Sequence, residues 1–334
     1  MKVLPVEIKW NPRLPIFASE PFLRAVGDEY GWLGGYDDTG KVRCILPYTV
    51  VKKLFLRLVR FRVETIPLGE SVDIEEEKVF LNNCLDYFRS IGADVIIPAT
   101  TNCVFRTYPD GAAAAPYGTY IIDLKQEEEI LWNNIERITR QNIKRAIKLG
   151  VKVERIGGPL EPVHSLIKAT FKRSELPFMD YKSFKRFVDG LGEYCIILKA
   201  EYNNIAQSYV VFAFSEYCAY AVYAGNAKNL VQGANKLLYW EAIKYFKKMG
   251  VNKYDFVGTR INPEKGSKQE ALSIFKKHFG CKLVEGYIWK YPLRPAKYHL
   301  YNLAAKIRTG GDIVDAEKHK MSYFKPGIEN PDMH

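Results

Sequence analysis

The chain repeats itself, and the repeat constrains its fold more than any other feature. Residues Tyr87-Phe88-Arg89-Ser90-Ile91-Gly92, followed by the apolar run Val95-Ile96-Ile97, return as Tyr245-Phe246-Lys247-Lys248-Met249-Gly250, with Tyr254-Asp255-Phe256-Val257 behind them. Each copy reads as an amphipathic helix, a glycine C-cap and a short buried strand. A turn-bearing hairpin precedes each one. Tyr36-Asp37-Asp38-Thr39-Gly40 leads into Val42-Arg43-Cys44-Ile45, and Tyr202-Asn203-Asn204 leads into Ile205 to Phe212. Two such units predict a duplicated α/β (α+β) domain, with a ligand groove expected between the copies.

At 334 residues the chain has room for two ordinary domains, each with its own core. The boundaries fall at 1–124, 125–290 and a basic tail over 291–334 that is expected to pack back on the first domain. Within the first unit, Ser19-Glu20-Pro21 reads as a helix start and 108–118 as a flexible loop, with a short strand at Tyr120 to Leu124. Glu127 to Gly150 reads as a helical bridge broken near Thr139. Helices are expected around Glu161 to Arg173, Tyr181 to Leu191 and Tyr298 to Arg308, and the chain after Gly310-Gly311 reads as loosely held.

A net charge of +11 favours an anionic partner: nucleic acid, a nucleotide or a lipid surface. Six cysteines without close pairing, and no signal-peptide pattern at Met1-Lys2-Val3-Leu4, read as reduced thiols of a cytoplasmic protein. Scattered histidines give no metal-ligand spacing, so no metal is expected. Phosphate-loop, dinucleotide and nucleophile-elbow motifs are missing from the sequence, which argues against P-loop, Rossmann and serine-hydrolase chemistry.

Two stretches carry chemistry by themselves. Arg137, Arg140, Lys144 and Lys148 stand at i, i+3, i+7 and i+11, which aligns four cations on one helical face. Such a stripe suits a polyanion, or it is a solvated face. In Ile274-Phe275-Lys276-Lys277-His278-Phe279-Gly280, the phenylalanines at i and i+4 pin one face and hold Lys276 in a fixed direction. A lysine so held can stabilise the oxyanion of an acyl transfer, or it simply faces solvent. Asp255, at the end of a buried strand, is a candidate base or a structural hydrogen-bonding residue.

In order along the chain, Arg140-Gln141-Asn142-Ile143-Lys144-Arg145-Ala146, Tyr223-Ala224-Gly225, Gly233-Ala234-Asn235, Tyr254-Asp255-Phe256 and Ile274 to Gly280 resemble the Fem family of peptidyltransferases, within the GNAT-fold acyltransferases. The resemblance covers roughly Ser19 to Trp289. It implies two tandem GNAT-like domains, each a mixed central sheet flanked by helices, with a cleft between them. It further implies aminoacyl transfer from aminoacyl-tRNA to an amine of a peptidoglycan precursor, with no tightly bound cofactor. Phe275 and Lys276 match the family's reaction-centre pair, and Tyr223 a tyrosine facing substrate. The stripe 137/140/144/148 matches its basic helix, while Gly233 and Asn235 fall in the donor loop.

The chain also departs from the family. Leu176-Pro177-Phe178-Met179-Asp180-Tyr181 holds no arginine where the FemX type grips a nucleotide diphosphate, which argues against a nucleotide-linked acceptor. The coiled-coil arm of the FemA type is missing. Leu230 to Asn235 departs from the GNAT pyrophosphate loop, yet leaves acyl-CoA-dependent N-acylation of an amino sugar as the alternative, and a non-catalytic basic RNA- or membrane-binding module as a second one. Lys52 to Arg62 interleaves five basic with six apolar residues. It reads either as a strand pair with exposed arginines or as a contact with the inner leaflet through Leu54, Phe55 and Leu58.

Overall fold

A computed structural model describes residues 1–69, 71–98 and 103–323. In chain order its strands are β1 (Lys2–Pro5), β2 (Glu29–Tyr36), β3 (Val42–Lys53), β4 (Leu56–Phe61), β5 (Ile66–Pro67), β6 (Val95–Ile96), β7 (Ala113–Asp123), β8 (Lys152–Ile156), β9 (Cys195–Tyr202), β10 (Ile205–Phe214), β11 (Ala219–Asn226), β12 (Lys253–Thr259) and β13 (Lys282–Pro292). The helices are α1 (Glu20–Val26), α2 (Ile74–Ser90), α3 (Glu128–Asn134), α4 (Arg137–Lys148), α5 (Glu161–Lys172), α6 (Tyr181–Leu191), α7 (Ala234–Lys248), α8 (Lys268–Lys277), α9 (Pro295–Thr309) and α10 (Ile313–Tyr323). The architecture is α/β, with mixed sheets and flanking helices.

The chain divides into two compact units. One comprises Met1–Val6, Gly31–Tyr117 and the chain from Glu285; the other comprises Glu7–Tyr30 and Gly118–Val284. The division is therefore interleaved, where the sequence reading cut the chain in succession after residues 124 and 290. Aromatic packing explains why α1 leaves the first unit. Phe22 meets Phe187 of α6 edge-to-face at 5.5 Å, and Gly190 lets α6 approach so closely that an added Cβ would meet that of Ala25 at 2.3 Å.

In the first unit the strand order is β1-β2-β3-β4-β6-β13, with β5 on β3. The turn at Asp37 closes β2 on β3: its Oδ1 accepts from the Thr39 N–H, the Lys41 N–H and the Thr39 hydroxyl. Helix α2 starts on a capping box, Asp73 with Glu76, and buries Phe80, Leu81, Leu85 and Phe88. In the second unit the order is β7-β12-β11-β10-β9-β8. Asn203 and Asn204 both take positive φ (49° and 60°), as a tight turn between β9 and β10 demands.

The two copies of the repeat end alike. Gly92 and Gly250 are left-handed, φ 75° and 77°. After each, the next N–H bonds five residues back: Ala93 to the Phe88 carbonyl at 3.0 Å, Val251 to that of Phe246 at 3.1 Å. Phe88 and Phe246 are both fully buried, so the stop is fixed by hydrogen bonds and by packing. Each helix then delivers a strand parallel to an earlier one, β6 to β4 and β12 to β11.

Three segments differ from expectation. Ala113 to Tyr117 are strand, not loop, because the small Ala115 and the ring of Tyr117 are buried and tertiary packing overrides composition. The bridge breaks at Ile135 and Glu136, where the backbone turns extended; Thr139 lies inside α4 and is buried. The tail after Gly311 is helical and anchored. Lys290, 1% exposed, donates to Asp312 at 2.8 Å, Asp315 at 2.7 Å and Asn302 at 3.1 Å, which uses all three ammonium protons. Residues 324–334 of the expected tail lie outside the described residues.

Removing one partner of a buried ion pair strands the others. Lys290→Met should therefore cost about 3 kcal/mol, with faster proteolytic cutting between Thr309 and Tyr323. Unchanged proteolysis and an unchanged melting temperature would show that this clamp does not hold α10.

Candidate active site

β11 and β12 run parallel, but only Ala219 with Tyr254 and Tyr220 with Asp255 are in register. On the other side of β12, its pairing with β7 shifts register between Asp255 and Gly258. The irregularity centres on Val257, which has φ 55°. A β-branched residue adopts that left-handed conformation rarely, so surrounding contacts must hold it.

Those contacts come from both sides. Lys276, on α8, points its amine at the bulge and donates to the Val257 carbonyl at 2.7 Å and the Gly258 carbonyl at 2.8 Å. Asp255 holds the amide side: its Oδ1 accepts the Val257 N–H at 2.7 Å and the Thr119 hydroxyl. Carboxylate, bulge and ammonium thus form one hydrogen-bonded unit. The third N–H of Lys276 has no protein acceptor among the described residues.

Burial sets the charge state of both groups. It pushes the Asp255 carboxyl up to about 6, against the Thr119 and Val257 hydrogen bonds and the Lys276 charge, which favour the anion. It pulls the Lys276 amine down to about 8, against the nearby Asp255 charge, which holds the proton on. Burial also pushes the neighbouring Cys281 thiol up, so that cysteine stays neutral and unreactive.

The other expected residues are not all gathered here. Phe275 meets Tyr239 at 5.3 Å and Phe279 at 5.4 Å, both edge-to-face, and Tyr239 in turn stacks on Phe256. Its ring fastens α8 to the sheet and thereby aims Lys276. Tyr223 belongs to a different cluster, under α5 and α6, with Phe178 at 5.2 Å and Phe187 at 5.3 Å.

On α4, Arg140 is committed to structure: its guanidinium donates to the Asn133 carbonyl at 2.7 Å and the Trp132 carbonyl at 3.3 Å, capping the end of α3. Arg137, Lys144 and Lys148 are exposed, and among the described residues none has a carboxylate partner. Of the four cations of the stripe, Arg140 keeps its charge but is held by the end of α3, and the other three project outward.

Gly233 caps α7 with φ 86°, and an added Cβ would meet the Asn142 carbonyl oxygen at 2.1 Å. The glycine is demanded by the close approach of α4 to α7. Asn235 sits half-buried in the first turn of α7. A cavity of about 560 Å³, lined by Val153, Arg155, Leu198, Lys244 and Tyr245 among others, contains none of these residues. Among the described residues no cluster suits a metal ion, and no helix is long and apolar enough to cross a membrane.

Residues 106–207 match the FemAB family. Over this stretch the chain is similar to FemAB sequences, and the match covers less than half of its length. The fold agrees: it is similar to the crystal structure of FemX, with a TM-score of 0.65 and 16% identity over 86% of this chain and 93% of that one. It is also similar to the C-terminal domain of a putative lysylphosphatidylglycerol synthetase from Agrobacterium fabrum (TM-score 0.54, 12% identity, 86% of this chain and 91% of that). A tandem GNAT protein from the clavulanic acid biosynthesis pathway matches with a TM-score of 0.50 and 12% identity, over 82% of this chain and 87% of that. No curated protein matches the sequence. The chain thus shares its fold with FemX and with a tandem GNAT protein, and it matches the FemAB family over residues 106–207.

Sequence reasoning missed Thr119 and the Val257-Gly258 bulge. A glycine late in a strand is a bulge signal, and Gly258 supplied it. Nothing local marks Thr119, which reaches Asp255 from a strand remote in sequence.

The electrostatics can be checked directly. Lys276 should titrate near 8, below the ordinary 10.5, when its side-chain nitrogen is followed by NMR. Since the folded value lies below the unfolded one, stability should rise with pH across that interval. Asp255→Asn should move the midpoint lower still, by removing the charge that favours the ammonium. A midpoint at the ordinary lysine value would mean that the amine is solvated.

Proposed function

We propose that the chain transfers an aminoacyl group from aminoacyl-tRNA to an amine of a peptidoglycan precursor. The observation that carries the proposal is the Lys276 ammonium fixed on the Val257 bulge, with one N–H uncommitted, where β11 and β12 part. The FemAB match supports the substrate class.

The chemistry needs little else. The lone pair of a neutral acceptor amine forms a C–N bond to the ester carbonyl while the C–O bond to the terminal ribose of the tRNA breaks. The proton lost by nitrogen ends on the ribose oxygen. Negative charge grows on the carbonyl oxygen in between, and a preorganised cation in a poorly hydrated site stabilises it. Lys276 takes that role. Asp255 keeps the amine charged at neutral pH and holds the bulge in shape. Because its Oδ1 is engaged by Thr119 and Val257, we assign it to positioning and not to proton abstraction.

The exposed Arg137, Lys144 and Lys148 suit the tRNA backbone, which is read by charge and not by sequence. Asn142 covering Gly233 favours this donor over acyl-CoA, whose pyrophosphate would need that end of α7 open.

Four experiments decide. Purified protein offered charged aminoacyl-tRNA or acetyl-CoA should bind the first saturably; saturable binding of acetyl-CoA alone overturns the proposal. Lys276→Met should lower kcat on the order of 10²-fold with little change in KM, and should also lower the melting temperature, because it strands the Val257 and Gly258 carbonyls. Wild-type activity should fall as pH rises through about 8, where the amine loses its proton. Reversing Arg137, Lys144 and Lys148 to glutamate should weaken aminoacyl-tRNA binding at least tenfold and flatten its salt dependence, each lost phosphate contact lowering the slope by about one. An unaltered salt slope would remove α4 from the tRNA site.

A further inference from the structure

The β3–β4 hairpin ends in a two-residue loop, Leu54-Phe55, between the paired Lys53 and Leu56. Leu54 is 92% exposed and Phe55 59% exposed. Leu54 also takes φ 55°, a conformation that turns normally give to glycine or asparagine. A large apolar side chain here gains nothing from the fold and is disfavoured by both water and backbone. Lys52 and Lys53 stand exposed immediately beside it.

The rest of the Lys52–Arg62 stretch does not share this exposure. Leu58 is buried, Arg57 and Arg60 are only partly exposed, and the Arg57 guanidinium donates to the Ile91 carbonyl at 3.2 Å. The apex alone is presented outward.

A second apolar element lies against it. Lys297, in the first turn of α9, donates to the Phe55 carbonyl at 3.1 Å. From there α9 carries Leu300, Leu303 and Ile307 at i, i+3 and i+7, all exposed, with Ile307 79% exposed. Lys306 and His299 are exposed along the same helix. Its opposite face is used up, with Asn302 on Lys290 and Tyr301 on Asp312. Helix α9 is thus amphipathic in reverse: polar groups anchor its inner side and apolar ones line its outer side.

We infer that the Leu54-Phe55 apex and the outer stripe of α9 form a docking surface for an anionic lipid bilayer. An apolar wedge bracketed by lysines matches the layering of a bilayer, in which acyl chains lie beneath anionic headgroups. An acidic protein groove would satisfy the lysines but leave the protruding apex and the separate helix stripe without a common apolar layer. The surface is independent of the acyl-transfer reading, although it would serve a lipid-linked acceptor.

The test is co-sedimentation of the full chain with vesicles, without tRNA or acceptor, so that its failure leaves the transfer reaction untouched. The vesicles are phosphatidylcholine alone, or phosphatidylcholine mixed with phosphatidylglycerol. Binding should be confined to the anionic vesicles and weaken with salt. Lys52→Glu with Lys53→Glu should reduce it roughly tenfold or more. Leu54→Asn with Phe55→Asn, and separately Leu300→Gln, Leu303→Gln and Ile307→Gln together, should each abolish most of it, with melting temperatures unchanged or raised. Three results would overturn the inference: wild type that stays in the supernatant, all three variants binding like wild type, or a self-association that the same substitutions disrupt while vesicles are ignored.

Discussion

The hydrogen-bonded unit that joins Asp255 to Lys276 through the Val257 bulge is the interaction on which the site depends. A bulge in a buried strand leaves carbonyls without ladder partners, and each would be costly to bury bare. Here the Val257 and Gly258 carbonyls share one ammonium, and Asp255 takes the Val257 N–H that precedes them. Each component requires the others. Without Lys276 the carbonyls are orphaned, and without Asp255 the amine has no reason to stay charged where burial lowers its pKa. An arrangement needed for the fold is thereby also a preorganised cation, which is what acyl transfer rewards.

Much of the scaffold was legible because it is written locally. The glycine C-caps at 92 and 250 and the turns at Asp37 and Asn203-Asn204 act over a few residues, and the structure realises them where the sequence shows them. The Phe275–Phe279 spacing foretold the fastening of α8, and so the fixed direction of Lys276. What could not be read depends on partners remote in sequence. Arg140 looks like one cation of four until the end of α3 claims it. Ala113 to Tyr117 look like loop until a sheet covers them, and the tail looks loose until Lys290 gathers Asp312 and Asp315. The interleaved division of the chain has the same origin, since α1 is held by α6 through rings far apart in sequence.

The two halves of the repeat show why similar scaffolds need not carry similar chemistry. In both, a helix ends on a left-handed glycine and delivers a strand that pairs in parallel over two residues. In the second copy the latter of those residues is Asp255; in the first it is Ile96, fully buried and apolar. The nearest carboxylate of the first copy, Asp94, is already spent on the Arg57 N–H at 2.8 Å and on Lys297 at 3.0 Å, with Arg294 beside it at 3.5 Å. After Ile96 the strand continues its ladder, Ile97 donating to the Val59 carbonyl at 3.1 Å, where the second copy bulges. With no bulge there are no freed carbonyls to hold a lysine, and with no free carboxylate nothing would keep that lysine charged. The first copy is left with a different use of the same cations: Lys297 neutralises Asp94 and, through the Phe55 carbonyl, also ties α9 to the hairpin apex. The two copies share one scaffold, and the residue at the end of the parallel strand, carboxylate against isoleucine, separates a candidate reaction centre from a structural frame.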